Sequence, residues 1–169
     1  MAEIQDLYDI HRNPTGELFV RGGIVPEGRY RLGVQVWLRN DEGQLLLTQR
    51  HPAKKKPLLW EPTGGAVNAG EDTLTAGIRE LREEIGVYLK KEQLTLVHTA
   101  IHNGNEFLDT YLAAWNGSID ELTLQPDEVV DARWVSRDEL IDMARRGLLA
   151  DDFSSLPDFP DQQATKGDF

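Results

Sequence analysis

There is no cysteine among the 169 residues. Its absence excludes disulfides, thiolate metal sites and cysteine-based catalysis, and it fits a reducing compartment. No apolar run is long enough to cross a bilayer as a helix, and a soluble, cytoplasmic protein without a secretory leader is expected. Positive charge is scarce: 18 Lys and Arg stand against 29 Asp and Glu, for a net charge of −11. A surface of that sign repels nucleic-acid backbones and anionic membranes, and neither is expected as a partner. The histidines His11, His51, His98 and His102 are scattered, with no pair at metal-ligand spacing. They read as ordinary surface or core residues, His51 lying nearest the suspected substrate loop. Internal repeats are absent, and the length supports one domain rather than two.

What the chain does have is concentrated between Gly65 and Val87, in the stretch GAVNAGEDTLTAGIRELREEIGV. Glu80, Glu83 and Glu84 fall within about one helical turn, directly after a loop carrying Gly64, Gly65 and Gly70. At roughly 100° per residue, with Glu80 as zero, Glu83 lies near −60° and Glu84 near +40°, whereas Leu74, Ile78, Leu81 and Ile85 lie at roughly 100° to 160°. Acids and core residues are thus expected on opposite faces. Ala76 and Gly77 flank the acidic face and would let a loop or substrate approach the helix backbone. Asp72 or Thr73 can cap its N-terminus. Like charges at these spacings repel, and a bound cation reverses the sign of that energy. Mg²⁺ suits the task because it takes a few carboxylates, keeps waters and accepts phosphate oxygens, with Mn²⁺ as a substitute.

The order Gly65, Glu71, Arg79-Glu80-Leu81, Glu83-Glu84, Gly86-Val87 matches every specified position of the Nudix box, and the chain resembles the Nudix hydrolase superfamily. The resemblance is sharpest over Gly65 to Val87 and extends more weakly from about Tyr8 to about Leu140. It implies an α/β fold, the Nudix α/β/α sandwich with a mixed β-sheet. It also implies an enzyme acting on phosphorus-containing acid anhydrides, the substrate being a small-molecule diphosphate. The family's metal ligands carry over as Glu80, Glu83 and Glu84, with a backbone carbonyl near Gly65 assisting, and Glu83 and Glu84 count among the catalytic residues. Glu71 and Arg79 are then structural, an ion pair tying loop to helix, as is Gly86. Such hydrolysis needs an activated water, an oriented phosphorus and neutralisation of the leaving phosphate. A solvated acidic face accounts for the trio but not for the glycines, Glu71 and Arg79 at their offsets.

An anion entering this acidic protein requires local cations, and Arg50, Lys54, Lys55 and Lys56 stand just before the glycine-rich loop as the substrate-binding set. Glu128, six residues before Trp134, occupies the region where many Nudix enzymes place a further acid, and it is read as catalytic base or ligand, with Glu106 as second candidate. Trp37, Trp60 and Trp115 read as core, Trp60 also bordering the pocket.

Elsewhere, Tyr8 to Val20 reads as a β-hairpin turned at Asn13-Pro14-Thr15-Gly16, within an N-terminal extension of residues 1–30. Leu32–Leu38 and Gln44–Gln49 are expected strands about the turn Asn40–Gly43, Leu94–Ile101 and Glu106–Ala114 strands about Asn103-Gly104-Asn105, and Asp131–Val135 a short strand. Ser136-Arg137-Asp138-Glu139 has the form of a capping box and opens a helix that stops near Gly147. Residues 1–150 are expected to form the domain and the acidic segment 151–169 a loosely attached tail. A homodimer is expected, because a strand-like extension often packs on a partner.

The combination LYDIHRNPTGE, LLLTQRHPAKKKPLLWEPTGG and the box is similar to a bacterial Nudix subgroup related to isopentenyl-diphosphate isomerase. In that alignment Gly64 stands for the isomerase's catalytic cysteine, Ala66 for one metal-binding histidine and Arg31 for another. Pro62 stands where relatives of the subgroup carry cysteine. Isomerisation needs a proton donor and acceptor on opposite faces, and the cysteine-derived half is missing. A non-catalytic ligand-binding Nudix module is the other alternative to hydrolysis.

Overall fold

The structure, a computed structural model, describes residues 3–151. The segment read as a loose tail lies, from residue 152 on, outside the described residues. Two strands, β1 (Ile4–Tyr8) and β2 (Pro14–Val20), pair antiparallel as a separate two-stranded sheet. This is the expected hairpin, but its turn is at residues 9–13 rather than 13–16. Asp9 decides the position: its Oδ1 accepts from the backbone N–H of His11 at 2.9 Å and of Asn13 at 2.8 Å. That is the local side-chain bonding by which Asp competes with regular structure.

The main sheet has the order β5-β4-β3-β8-β7, with β6 also on β3 and β9 also on β4. Its axis is β3 (Arg31–Arg39), parallel to β8 (Glu106–Ala114) along nine register pairs. Alternation sends Leu32, Val34, Val36 and Leu38 to one face and Trp37 to the other. β7 (Thr95–His102) pairs antiparallel with β8, and β9 (Val129–Val135) antiparallel with β4 (Leu45–Arg50).

β3 and β4 were expected as a plain hairpin, yet they pair only at Arg39 and Leu45 and then part. Beyond the turn, each takes a short strand of its own. β5 (Trp60–Glu61) pairs with β4 and β6 (Thr63–Ala66) with β3. Pro62, which has no N–H to give a ladder, sits where the chain crosses from one to the other. The parting opens a cleft in the sheet.

One helix covers each face. α1 (Thr73–Ile85) is capped by Asp72, whose side chain accepts from the Thr75 N–H at 2.6 Å, and ended by Gly86 at φ 70°. A Cβ at Gly86 would lie 2.9 Å from Cβ of Thr123, so φ and space both require glycine there. α2 (Arg137–Arg145) begins at the expected capping box on Ser136 and Glu139. The α1 side of the sheet buries Val34, Val36, Leu81, Ile85 and Tyr111. The α2 side buries Trp37, Leu45, Leu47, Leu140 and Met143. Together they make the expected α/β/α sandwich with a mixed sheet.

Candidate active site

The acids of α1 do not sit opposite its core face, as the helical projection implied. Glu84 is buried along with Thr73, Ala76, Gly77, Leu81 and Ile85, and Glu80 is mostly buried, while Glu83 is exposed. The buried arc is wider than the apolar stripe because the helix lies low on the sheet. A Cβ at Gly77 would stand 3.0 Å from Cγ2 of Val36. The close approach that Ala76 and Gly77 permit is therefore to β3, not to a loop or substrate.

Arg79 ties the preceding loop to this helix. Its Nε and one terminal nitrogen meet both carboxylate oxygens of Glu71 at 2.9 and 3.0 Å, and that nitrogen also donates to the Ala66 carbonyl at 2.9 Å. The Glu71 carboxylate in turn accepts from the Asn68 N–H at 3.0 Å. The other terminal nitrogen of Arg79 reaches Glu80 at 2.8 Å and Glu83 at 3.3 Å. Gly65 makes the room: a Cβ there would stand 2.7 Å from the carboxyl carbon of Glu80.

Glu80, Glu83, Glu84 and Glu128 line one cavity of about 110 Å³, together with Gly64, Gly65, Lys54 and Arg21. Glu128 comes from the loop before β9, held where His51 N–H donates to its carbonyl at 2.9 Å, and its carboxylate pairs with Lys54. Burial pushes the Glu84 carboxyl up to about 8, with the charges of Glu80, Glu61 and Glu128 adding to the effect and Lys54 opposing it. Burial also raises Glu80, against the pull of Arg79. Among the described residues, no three His, Cys, Asp or Glu side chains converge closely enough to hold a metal ion by themselves. The cause is the geometry just given: Glu80 and Glu83 lean on Arg79, and Glu128 on Lys54, where mutual approach of bare carboxylates would cost repulsion. The donor set nevertheless fits a hard divalent cation. It offers only oxygen ligands, and Glu84 is a buried acid whose ionisation calls for positive charge nearby.

The cleft widens from there. A middle chamber of about 330 Å³ runs along Gly64, Gly65, Arg31, Arg50 and Glu61, and an outer chamber of about 760 Å³ lies under the hairpin at Phe19, Arg21 and Ile24. Of the four cations expected to bind substrate, Lys54 lines all three spaces, Arg50 the two wider ones and Lys55 the outer one. Lys56 lines none of the three, its ammonium meeting the Ala150 carbonyl and Asp151, each at 2.6 Å. Glu106 lines the middle chamber, 3.1 Å from Arg31. Trp37 is wholly buried, Trp115 stacks on Trp134 at 5.8 Å, and Trp60 packs under Arg133 and lines none of the three spaces.

Arg21, Arg31, Glu61 and His102 line the cleft without having been singled out as site residues. Arg21 arrives on the hairpin, far from the box in sequence, and carries no local signal. Glu61 sits one residue before Pro62, and only the splitting of β5 from β6 turns it toward Arg50, which it meets at 2.6 Å. Burial raises the Glu61 carboxyl, against the charge of Arg50.

A three-layer sandwich with acids on one of its two covering helices, facing a cation-lined cleft, defines a class of protein suited to anionic small molecules. This chain belongs to the Nudix family: the family model for the NUDIX domain matches residues 29–159. An uncharacterised Nudix hydrolase of Listeria monocytogenes is 32% identical over 137 residues, 80% of each chain. The isopentenyl-diphosphate Delta-isomerase of Citrobacter koseri is 34% identical over 139 residues, 76% of this chain and 74% of its own. The crystal structure of DR0079 from Deinococcus radiodurans shares the fold at a TM-score of 0.75 and 24% identity, covering 91% of this chain and 96% of that one. The chain is thus a member of the Nudix hydrolase family, which acts on phosphorus-containing acid anhydrides such as nucleoside diphosphate derivatives and generally uses divalent metal ions. No helix among the described residues is long and apolar enough to cross a membrane.

Proposed function

We propose that this protein hydrolyses a diphosphate linkage in a nucleoside diphosphate derivative or similar small diphosphate, with Mg²⁺, or Mn²⁺ in its place, held by Glu80, Glu83 and Glu84 and assisted by a backbone carbonyl near Gly65. The observation that carries the reading is a buried acid, Glu84, facing Glu80 and Glu128 in one small cavity at the end of a cation-lined cleft. When bound, the cation supplies Lewis acidity toward a phosphoryl oxygen and a more acidic water. The chain's own groups do the rest. Lys54 and Arg21 reach the acid end and neutralise charge on the phosphate that leaves. Glu128 takes a proton from the attacking water once Lys54 is drawn to the phosphate. Arg79 and Glu71 fix the loop against the helix, so that receiving the cation asks only the carboxylates of Glu80 and Glu83 to turn from Arg79.

Isomerisation lacks its means: Gly64 stands in the cysteine's place and the chain holds no cysteine. A cytoplasmic setting fits the lack of cysteine, and the net charge of −11 leaves nucleic acid and anionic membranes outside the reading. A homodimer is supported by the apolar outer residues of the hairpin, Ile4, Leu18 and Val20, which are exposed. Light scattering giving a mass near 19 kDa would reject it. The experiment for the main reading is phosphate release from a panel of diphosphates with Mg²⁺ or Mn²⁺. Metal-dependent product from at least one member is expected. Tight ligand binding with no product in either metal would identify a binding module instead.

A further inference from the structure

Arg31 opens β3 and lines both the middle and outer chambers, but not the acid-lined end. Its guanidinium lies over the Phe19 ring, 5.5 Å from the centroid, and one terminal nitrogen meets Glu106 at 3.1 Å. The side chain is 23% exposed, and its Nε is buried with no hydrogen-bond partner among the described residues. A guanidinium presents five N–H donors in a rigid fork. The Nε is closed off from the chambers, so an entering acceptor would meet the exposed part of a guanidinium that Phe19 and Glu106 already hold in place. The surroundings specify the acceptor's charge. In a chain of net charge −11, the outer chamber is lined by Arg21, Arg31, Arg50, Lys54 and Lys55 and by one acid, Glu128. Lys54 pairs Glu128, while the acids that pair Arg21, Arg31 and Arg50, namely Glu3, Glu106 and Glu61, stand outside that lining and leave its wall cationic.

Lys54 and Arg21 already serve the acid-lined end, where the scissile anhydride is placed. Arg31 stands further along the cleft. We infer that Arg31 is a specificity-determining residue, anchoring an anionic group that the substrate carries beyond the two phosphoryls of the scissile anhydride. The inference rests on the hydrolase reading for which end of the cleft holds the anhydride. It adds that the preferred substrate is longer and more highly charged than a simple diphosphate.

Inorganic pyrophosphate and inorganic tetraphosphate, titrated calorimetrically into protein in excess Ca²⁺, which fills an oxygen-ligand site in place of Mg²⁺, test this by binding rather than by turnover. Wild type should bind tetraphosphate at least about tenfold more tightly, the scale of one charge-assisted hydrogen bond. Arg31→Gln should erase most of that gain while leaving pyrophosphate within about twofold, and Arg31→Lys should restore part of it. The double variant Arg31→Gln/Glu106→Gln, which leaves no unpaired acid, should behave as Arg31→Gln and guards against a folding defect. Arg145→Gln on the exposed side of α2 should leave the gain intact. Equal affinity for the two anions, equal loss of both in Arg31→Gln, or the same loss in Arg145→Gln would each overturn the inference. An Arg31-dependent gain in a protein that releases no phosphate from any diphosphate would sink the hydrolase reading and leave the anion site standing.

Discussion

On the α2 side of the sheet, Trp37, Leu47, Leu140 and Met143 close over one another in an apolar layer. On the α1 side, Val34, Val36, Leu81 and Ile85 do the same, but they share their layer with Thr63, Thr73, Glu84 and Asp109, all buried. Both faces come from one alternation along β3, yet only one carries buried polar groups at this density. Such groups cost stability unless each finds a partner. Asp109 finds three. Arg12 from the hairpin turn meets it at 2.8 and 2.5 Å, Thr73 from the start of α1 at 2.6 Å and Thr99 from β7 at 2.8 Å. Glu84 finds none of comparable quality, and its carboxyl is pushed up to about 8. On the proposed function, the difference separates polar burial that joins elements together from polar burial held ready for a ligand.

The sharpest test of that separation is Glu83→Gln. If the α1 side is the working side, turnover should fall about 10²- to 10³-fold, the scale of removing one preorganised electrostatic contact. The melting temperature should stay near wild type, because an exposed acid is lost rather than a core group. Steady-state kinetics and calorimetry read both quantities. On the α2 side, Leu140→Ala should do the reverse, costing about 4 kcal/mol by leaving a cavity in a tight layer, with KM unchanged in denaturant-free assays.

Asp109→Asn should cost about 2 to 3 kcal/mol by leaving Arg12 half-buried without its counterion, and it should do so in a pH-dependent way. Burial alone would raise this carboxyl, but the bonds from Arg12, Thr73 and Thr99 outweigh it and hold it below the usual aspartate range. A depressed folded-state value adds stability above the unfolded value, and that stability is lost as pH falls through the folded one. The variant and wild type should therefore differ at pH 7 in urea melts and converge as the pH drops below about 4. A constant difference across that range would mean that packing rather than charge is what Asp109 supplies. The smallest effect is expected at Gln5, which is 1% exposed with neither side-chain amide atom bonded among the described residues. Gln5→Leu should be neutral or stabilise by about 1 kcal/mol, read by thermal melts.

How far these features were legible in the sequence follows the range of the forces that make them. α1, its cap at Asp72 or Thr73, its Gly86 stop and the Glu71–Arg79 tie are local, encoded within about fifteen residues of one another; spacing locates the helix and its acids, and the resemblance to the Nudix box supplies the tie and the stop. The same is true of the Ser136 capping box. The parting of β3 from β4 was not legible, because it depends on β8 and β9 arriving from far along the chain to satisfy the two strands separately. Everything the parting creates was hidden with it, including the cleft, the turning of Glu61 toward Arg50 and the placing of Arg21 and Arg31. The orientation of the acids was also missed, since a helical projection cannot say how low a helix lies on a sheet. Gly77 reports that height only once Val36 is known to be beneath it.

Titration with Mn²⁺, followed by the electron paramagnetic resonance signal of the free ion, tests the central claim most directly. Wild type should take up the ion, and Glu80→Gln, Glu83→Gln and Glu84→Gln should each weaken that uptake about tenfold or more, the effect of withdrawing one anionic ligand from a hard cation. Uptake unchanged when all three acids are replaced, or no uptake by wild type even with pyrophosphate present, would contradict it.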